Sequence, residues 1–192
     1  MRKRLLVLTE IALMTALALI LDLVIPSLHG LKITIKMMPI FILAYRRGIL
    51  PATAAGLLWS ILQITVGDAY ILNVYQVLIE YLLAFSVLGL AGVAYRPIQK
   101  ELRRDKASPL KLGLLACGGI VLASLLRYIL HFAAGILFWA DYAPAGQTPA
   151  FYSLIVNGGA FLSETLTCLV FTCLLLPVFK PLLLNRDARL RQ

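Results

Sequence analysis

The chain has 192 residues, 61% apolar and 14% charged, with a mean hydropathy of +0.90 and a formal net charge of +9. Ordinary soluble domains are roughly 45–50% apolar and about 25% charged, so this excess excludes a soluble globular enzyme and indicates an integral membrane protein. Nor does the charge indicate nucleic acid, because the basic residues fall in short clusters between apolar runs and form no long stripe interleaved with aromatics.

Taken in chain order, apolar runs punctuated by Pro, Gly and charge predict helices near 5–25, 33–45, 49–66, 74–94, 110–138 and 152–184, the second and third of them short. Arg2, Lys3 and Arg4 before the first run superficially look like a signal peptide. The run from Leu5 to Ile25 is too long for a usual signal core and no small-residue cleavage site follows, so it reads as a retained first helix. Pro26 and Gly30 break the first connection, Arg46-Arg47-Gly48 the second and Gly67-Asp68 the third. Residues 95–109 form the most charged connection, and Asp141 to Pro149 a polar fifth. The expectation is one all-α membrane domain over 1–192 with six transmembrane helices. Cys117, Cys168 and Cys173 are odd in number, lie in apolar runs and lack CxxC spacing, which argues against a disulfide framework or a zinc site.

The basic residues set an orientation. Arg2, Lys3, Arg4, Arg46, Arg47, Arg96, Lys100, Arg103, Arg104, Lys106, Lys111, Lys180, Arg186, Arg189 and Arg191 fall on one side, read as cytoplasmic, with both termini. Only Lys32 and Lys36 belong to the outer flank, and Arg127 lies inside a span. The outer loops and spans are left mildly acidic, which favours capture of a cation.

Polar groups inside a span are expensive and by default mark a pocket, a pathway or a partner contact. Counted from the outer helix ends, Trp59, Glu80 and His131 each lie about seven residues in, roughly 10 Å at 1.5 Å per residue, with Asn157 slightly above. Arg127, His131, Gly135 and Trp139 recur at i+4 on one face of the fifth helix, and Gly135 leaves room there. Gln76 and Glu80 share a face, as do Ser153 and Asn157, while Tyr70, Tyr81, Tyr142 and Tyr152 crowd the same outer region. Aromatic walls with a few fixed hydrogen-bonding groups suit a small, flat, polar ligand, and a carboxylate beside ring faces suits a cation. Each group also has a plainer reading. Trp139 and Tyr142 could be interfacial belt residues, His131 a hydrogen-bonded interior residue, and Glu80 the ion-pair partner of Arg127. Coincidence of depth on four helices favours the pocket. Asp22 and Glu164 receive no role.

There is no G-x-x-x-x-G-K-[ST] loop and no H-E-x-x-H pair, and Ser60, Ser153 and Ser163 lack an evident base, so neither nucleotide hydrolysis nor catalysis is expected. Ala12 and Ala16 place small side chains on one face of the first helix, for internal packing or for docking to a partner subunit.

Several stretches together resemble a known family. They are Leu8-Thr9-Glu10-Ile11-Ala12, Tyr45-Arg46-Arg47-Gly48, Ala69-Tyr70-Ile71-Leu72, Glu80-Tyr81, Tyr128-x-x-His131-Phe132-x-x-Gly135-Ile136-x-Phe138-Trp139 and Tyr152-Ser153-Leu154-x-Val156-Asn157-Gly158. Over nearly the whole chain the sequence resembles the thiamine-specific S components, the substrate-binding subunits of energy-coupling factor (ECF) vitamin transporters. The resemblance implies a six-helix protein of the bacterial cell membrane that captures thiamine from outside and carries no cofactor of its own. It would work with a transmembrane coupling subunit and two cytoplasmic ATPases, which use the ATP, and reorient bodily to release its ligand. Ala12 and Ala16 would contact the coupling subunit. Glu80 would bind the aminopyrimidine and offset the thiazolium, Trp139 and His131 would stack on the rings, and Tyr152 and Asn157 would hold the pyrimidine edge. Tyr70, Tyr81, Trp59 and Gly135 would complete the wall, with Arg127 and Ser153 beside them. The family commonly has Lys where Arg127 stands and an aromatic lid residue where this chain has Leu31. The alternatives are an S component for another vitamin, a small intramembrane enzyme and a purely structural membrane subunit.

Overall fold

A computed structural model describes residues 2–24 and 34–185. The expectations for Pro26, Gly30, Leu31, Lys32, Arg186, Arg189 and Arg191 lie outside the described residues. Among those described the chain is helical, with no strand. Helix α1 is Arg2–Val24, α2 is Met38–Arg47 and α3 is Ile49–Thr65. Helix α4 runs through Val74–Leu102, α5 through Pro109–Phe138 and α6 through Pro149–Leu183. Of these, α1, α4, α5 and α6 are long and apolar enough to cross a membrane, and α3 is a shorter apolar helix.

Local sequence explains the boundaries. Pro109 and Pro149 each enter the first turn, where the missing N–H costs nothing, behind Ser108 and Thr148. Ser108 Oγ accepts from Lys111 N and Thr148 Oγ1 from Phe151 N. Helix α6 therefore starts at Pro149 rather than near 152. Helix α4 continues past 94 to Leu102 because Ile98, Gln99, Glu101 and Leu102 form a buried face that the charge of Arg96 and Lys100 hides in the sequence. Gln99 Nε2 donates to Tyr45 O and Leu183 O, tying this last stretch to α2 and α6.

Helix α2 is shorter than expected. Thr34 and Ile35 are not helical, Lys36 and Met37 form a turn, and Pro39 sits in the first helical turn. Ten residues rise only about 15 Å, half of a hydrocarbon core of roughly 30 Å. At its other end Gly48, at φ +88°, joins α2 directly to α3 in a backbone region that favours glycine. Helix α5 packs along α6 and along Val87–Ala94, a 3-10 stretch of α4, while α3 packs on α4 and α1 covers α2 and α3. The α3–α4 seam is glycine-tight: a Cβ on Gly89 would lie 2.4 Å from Thr53 N, and one on Gly56 would lie 2.3 Å from Phe85 O. Phe41, Leu43, Trp59, Leu88, Ile98 and Ile120 fill the core between these helices.

Candidate functional site

Because α2 stops short, space opens above its first turn, between α1, α3, α4, α5 and α6, and becomes a cavity of about 430 Å³. Lys36 and Met37 contribute to its lining from the turn before α2. A cavity of this size with aromatic walls and a few polar groups suits a small molecule.

At the end of the cavity nearest the α3–α4 loop stands Glu80. It sits in a π-helical turn, Leu78–Leu83, inside α4, and is buried. Such single π turns re-aim a side chain within a helix. Glu80 Oε1 accepts from Trp139 Nε1 at 2.8 Å, and Oε2 accepts from Gln76 Nε2. Gln76 also donates to Tyr70 O and accepts from Leu72 N, so one side chain holds both the carboxylate and the loop beside it. Tyr81 accepts from Tyr70 N at 2.9 Å. Trp139 ends α5, and its ring lies 5.2 Å from that of Tyr70 and 5.1 Å from that of Tyr142. The hydroxyls of Tyr70 and Tyr142 share a hydrogen bond at 3.1 Å, which raises the Tyr142 phenol above its ordinary value.

Of the residues singled out in the sequence, Glu80, His131, Trp139, Asn157, Tyr81, Tyr70 and Arg127 line this cavity. The remaining four do not. Trp59 is fully buried behind the wall and meets the lining residue Phe85 edge-on at 4.6 Å. Gly135 and Ser153 form the contact between α5 and α6: Ser153 Oγ donates to Phe132 O, and a Cβ on Gly135 would lie 2.2 Å from Ser153 Oγ. That contact sets Asn157, whose Nδ2 donates to Ser153 Oγ and His131 O. Tyr152 is half-buried in the first turn of α6. Ala12 and Ala16 are exposed on α1, whereas Ala18 is buried.

The alternative pairing of Glu80 with Arg127 is not made. Arg127 Nη1 donates to Glu164 Oε2 at 2.7 Å. Lys36, read as an outer-flank charge, is buried and pairs with Asp22 at 2.8 Å and with Glu164 at 3.4 Å. Gln63 Nε2 donates to Asp22 Oδ2 and, at 3.3 Å, to Asp68 Oδ2. All of these residues line the cavity and none carried a predicted role there except Arg127. Intramembrane position was the only signal for Asp22 and Glu164; nothing local marked Lys36 or Gln63. The lining holds four carboxylates, Asp22, Asp68, Glu80 and Glu164, against two cations, Lys36 and Arg127, so its field favours a cation. Among the described residues no cluster of His, Cys, Asp and Glu could hold a metal ion.

The family model described as "Thiamine transporter protein (Thia_YuaJ)" matches residues 8–184. The chain belongs to the thiamine transporter family. It is similar to a protein named thiamine transporter ThiT from Lacticaseibacillus paracasei, 36% identical over 193 residues, covering 97% of this chain and 94% of that one. A protein of the same name from Bacillus subtilis is 33% identical over 190 residues, covering 96% and 97% of the two chains. The solved structure of ThiT from Listeria monocytogenes superposes with a TM-score of 0.87 at 34% identity, covering 95% of this chain and 100% of that one. The family reached from the motifs and the family that matches are the same.

Proposed function

We propose that this chain is the thiamine-binding S component of an ECF-type transporter: a single multi-pass domain of the bacterial cell membrane with both termini cytoplasmic. The observation that carries the ligand is Glu80, a buried carboxylate whose two oxygens are held by neutral donors in a cavity walled by Trp139, Tyr70 and Tyr81. Thiamine brings the matching chemistry. Its aminopyrimidine can donate to Glu80, its thiazolium charge offsets the carboxylate, and both rings can lie against Trp139 and His131. Asn157 is oriented to complete the polar edge. Tyr152 would act from above the cavity, while Trp59, Gly135 and Ser153 would act by holding the wall.

Four long apolar helices and the shorter apolar α3 support a multi-pass protein, and in a six-helix arrangement α2 would enter the bilayer for only about half of its thickness. Basic residues gathered at the end opposite the cavity support cytoplasmic termini. Ala12 and Ala16, exposed on α1, would meet a coupling subunit, and two ATPase subunits would supply the energy; the chain itself would need no cofactor and catalyse nothing. The reading is tested by purifying the chain alone in detergent and following tryptophan fluorescence on adding thiamine, riboflavin or biotin. Saturable quenching by thiamine is expected. A response to another vitamin and not to thiamine would refute the specificity, and chemical conversion of the ligand would refute the class.

A further inference from the structure

Two cations, Lys36 and Arg127, face the same cavity as Glu80. Opposite charges that can meet in a medium of low dielectric attract strongly, and an Arg127–Glu80 pair would quench the carboxylate that a cationic ligand needs. The guanidinium already lies against the helix that carries Glu80: its central carbon is 5.0 Å from the centroid of Phe85, a residue of α4. What draws it the other way is α6. Arg127 Nη1 donates to Glu164 Oε2 at 2.7 Å, with Met37 Sδ at 3.4 Å from the same nitrogen. Glu164 Oε1 meanwhile faces Lys36 Nζ at 3.4 Å, and Lys36 pairs with Asp22 at 2.8 Å. Asp22, Lys36, Glu164 and Arg127 thus form a chain of alternating charge that sums to zero, and both cations of the cavity are used up in it. Glu80 accepts from Gln76 and Trp139, which bring no charge.

We propose that Glu164 is a positioning residue for ligand specificity: by anchoring Arg127 to α6 it keeps the guanidinium off Glu80 and leaves that carboxylate to a cationic ligand. This rests on the thiamine-binding reading above. With Glu164 neutralised, Arg127 loses its anchor on α6 while it still lies against Phe85 on the helix that carries Glu80, and the released cation then competes with the thiazolium for the cavity's carboxylates.

The test is equilibrium binding of thiamine to the purified full chain, by tryptophan fluorescence, in wild type, E164Q and E164Q/R127M. E164Q is expected to weaken thiamine about tenfold or more, and the added R127M to return affinity to within about threefold of wild type. Rescue is necessary, but removing both partners of a merely structural buried pair also relieves the unpaired charge, so the decisive readout is whether the loss depends on the charge of the ligand. A double variant that binds as weakly as E164Q, or more weakly, overturns the proposal. A second arm uses a thiamine isostere whose thiazolium is replaced by an uncharged ring. E164Q should weaken the isostere far less than thiamine, and equal losses also overturn the proposal. If E164Q does not yield folded protein, E164D and E164D/R127M carry the same comparison, since the shortened carboxylate draws back from Arg127 while the buried charge is kept. Wild-type protein that ignores thiamine would refute the functional reading itself, whereas wild-type binding without rescue refutes only the role of Glu164.

Discussion

Glu80 joins a carboxylate to a fixed geometry, its two oxygens held by Gln76 and Trp139. Glu80→Gln keeps the shape and removes the charge. Losing a charge-assisted hydrogen bond of about 2 kcal/mol should weaken thiamine roughly thirtyfold, measured by fluorescence titration. Trp139→Phe retains a ring face but drops the Nε1–H that holds Glu80 Oε1, so it should cost less than Trp139→Ala in the same titration. Gly135 acts by absence: a Cβ there would lie 2.2 Å from Ser153 Oγ and 2.9 Å from Asn157 Nδ2. Gly135→Val should therefore abolish binding and lower thermal stability together. Gly118→Ala in the same helix, where a Cβ meets nothing within 4 Å, should leave both unchanged or add a few tenths of a kcal/mol of stability. At this scale Glu80, His131, Trp139 and Asn157 were legible because counting from helix ends gives depth, and i+4 spacing gives a face. Asp22, Lys36, Gln63 and Glu164 were not, because their partners lie on other helices, at sequence distances no periodicity reports.

At the scale of elements, apolar runs and punctuation located α1 to α6 among the described residues but not every end. Ser108-Pro109 and Thr148-Pro149 are readable starts, each a side-chain cap followed by a residue that needs no N–H. The π turn at Leu78–Leu83 is not readable, since Leu-Ile-Glu-Tyr-Leu-Leu carries no local preference against an ordinary helix. Within it Glu80 meets Gln76 and also Trp139, a contact that no local pattern reports. The α3–α4 seam behind Glu80 is a second element-level device. Gly89 lets the backbone of α4 approach that of α3, with Thr53 N at 2.4 Å from where a Cβ would stand. Gly89→Val should lower unfolding free energy by about 3 kcal/mol or prevent folding, seen as a drop in Tm in detergent, with ligand affinity falling as the wall behind Phe85 shifts.

For the whole molecule, the two ends do different work. At the basic end Glu10 pairs with Arg46 at 3.1 Å and Arg47 at 2.6 Å, Arg46 donates to the carbonyls of Leu182 and Leu184, and Arg47 donates to Asn185 Oδ1. This network stitches α1, α2 and α6 together far from the cavity. Arg47→Met, which leaves Glu10 with one fewer partner, should cost about 3 kcal/mol of stability while thiamine affinity stays within about twofold of wild type. Ala12→Trp, on the exposed face of α1, should abolish copurification with a coupling subunit and spare ligand binding, because nothing in the cavity touches that face. Loss of ligand binding as well would assign Ala12 to internal packing. By itself the sequence determined that this is a helical membrane protein of the thiamine transporter family, with its basic residues gathered at one end. Hydrophobic transfer and charge placement act segment by segment, so they can be read from one dimension. Which carboxylate holds Arg127, where Lys36 is buried and how far α2 reaches were decided only by tertiary structure. The energy of a charge in a low-dielectric interior depends on distances between groups that the chain brings together from separate helices.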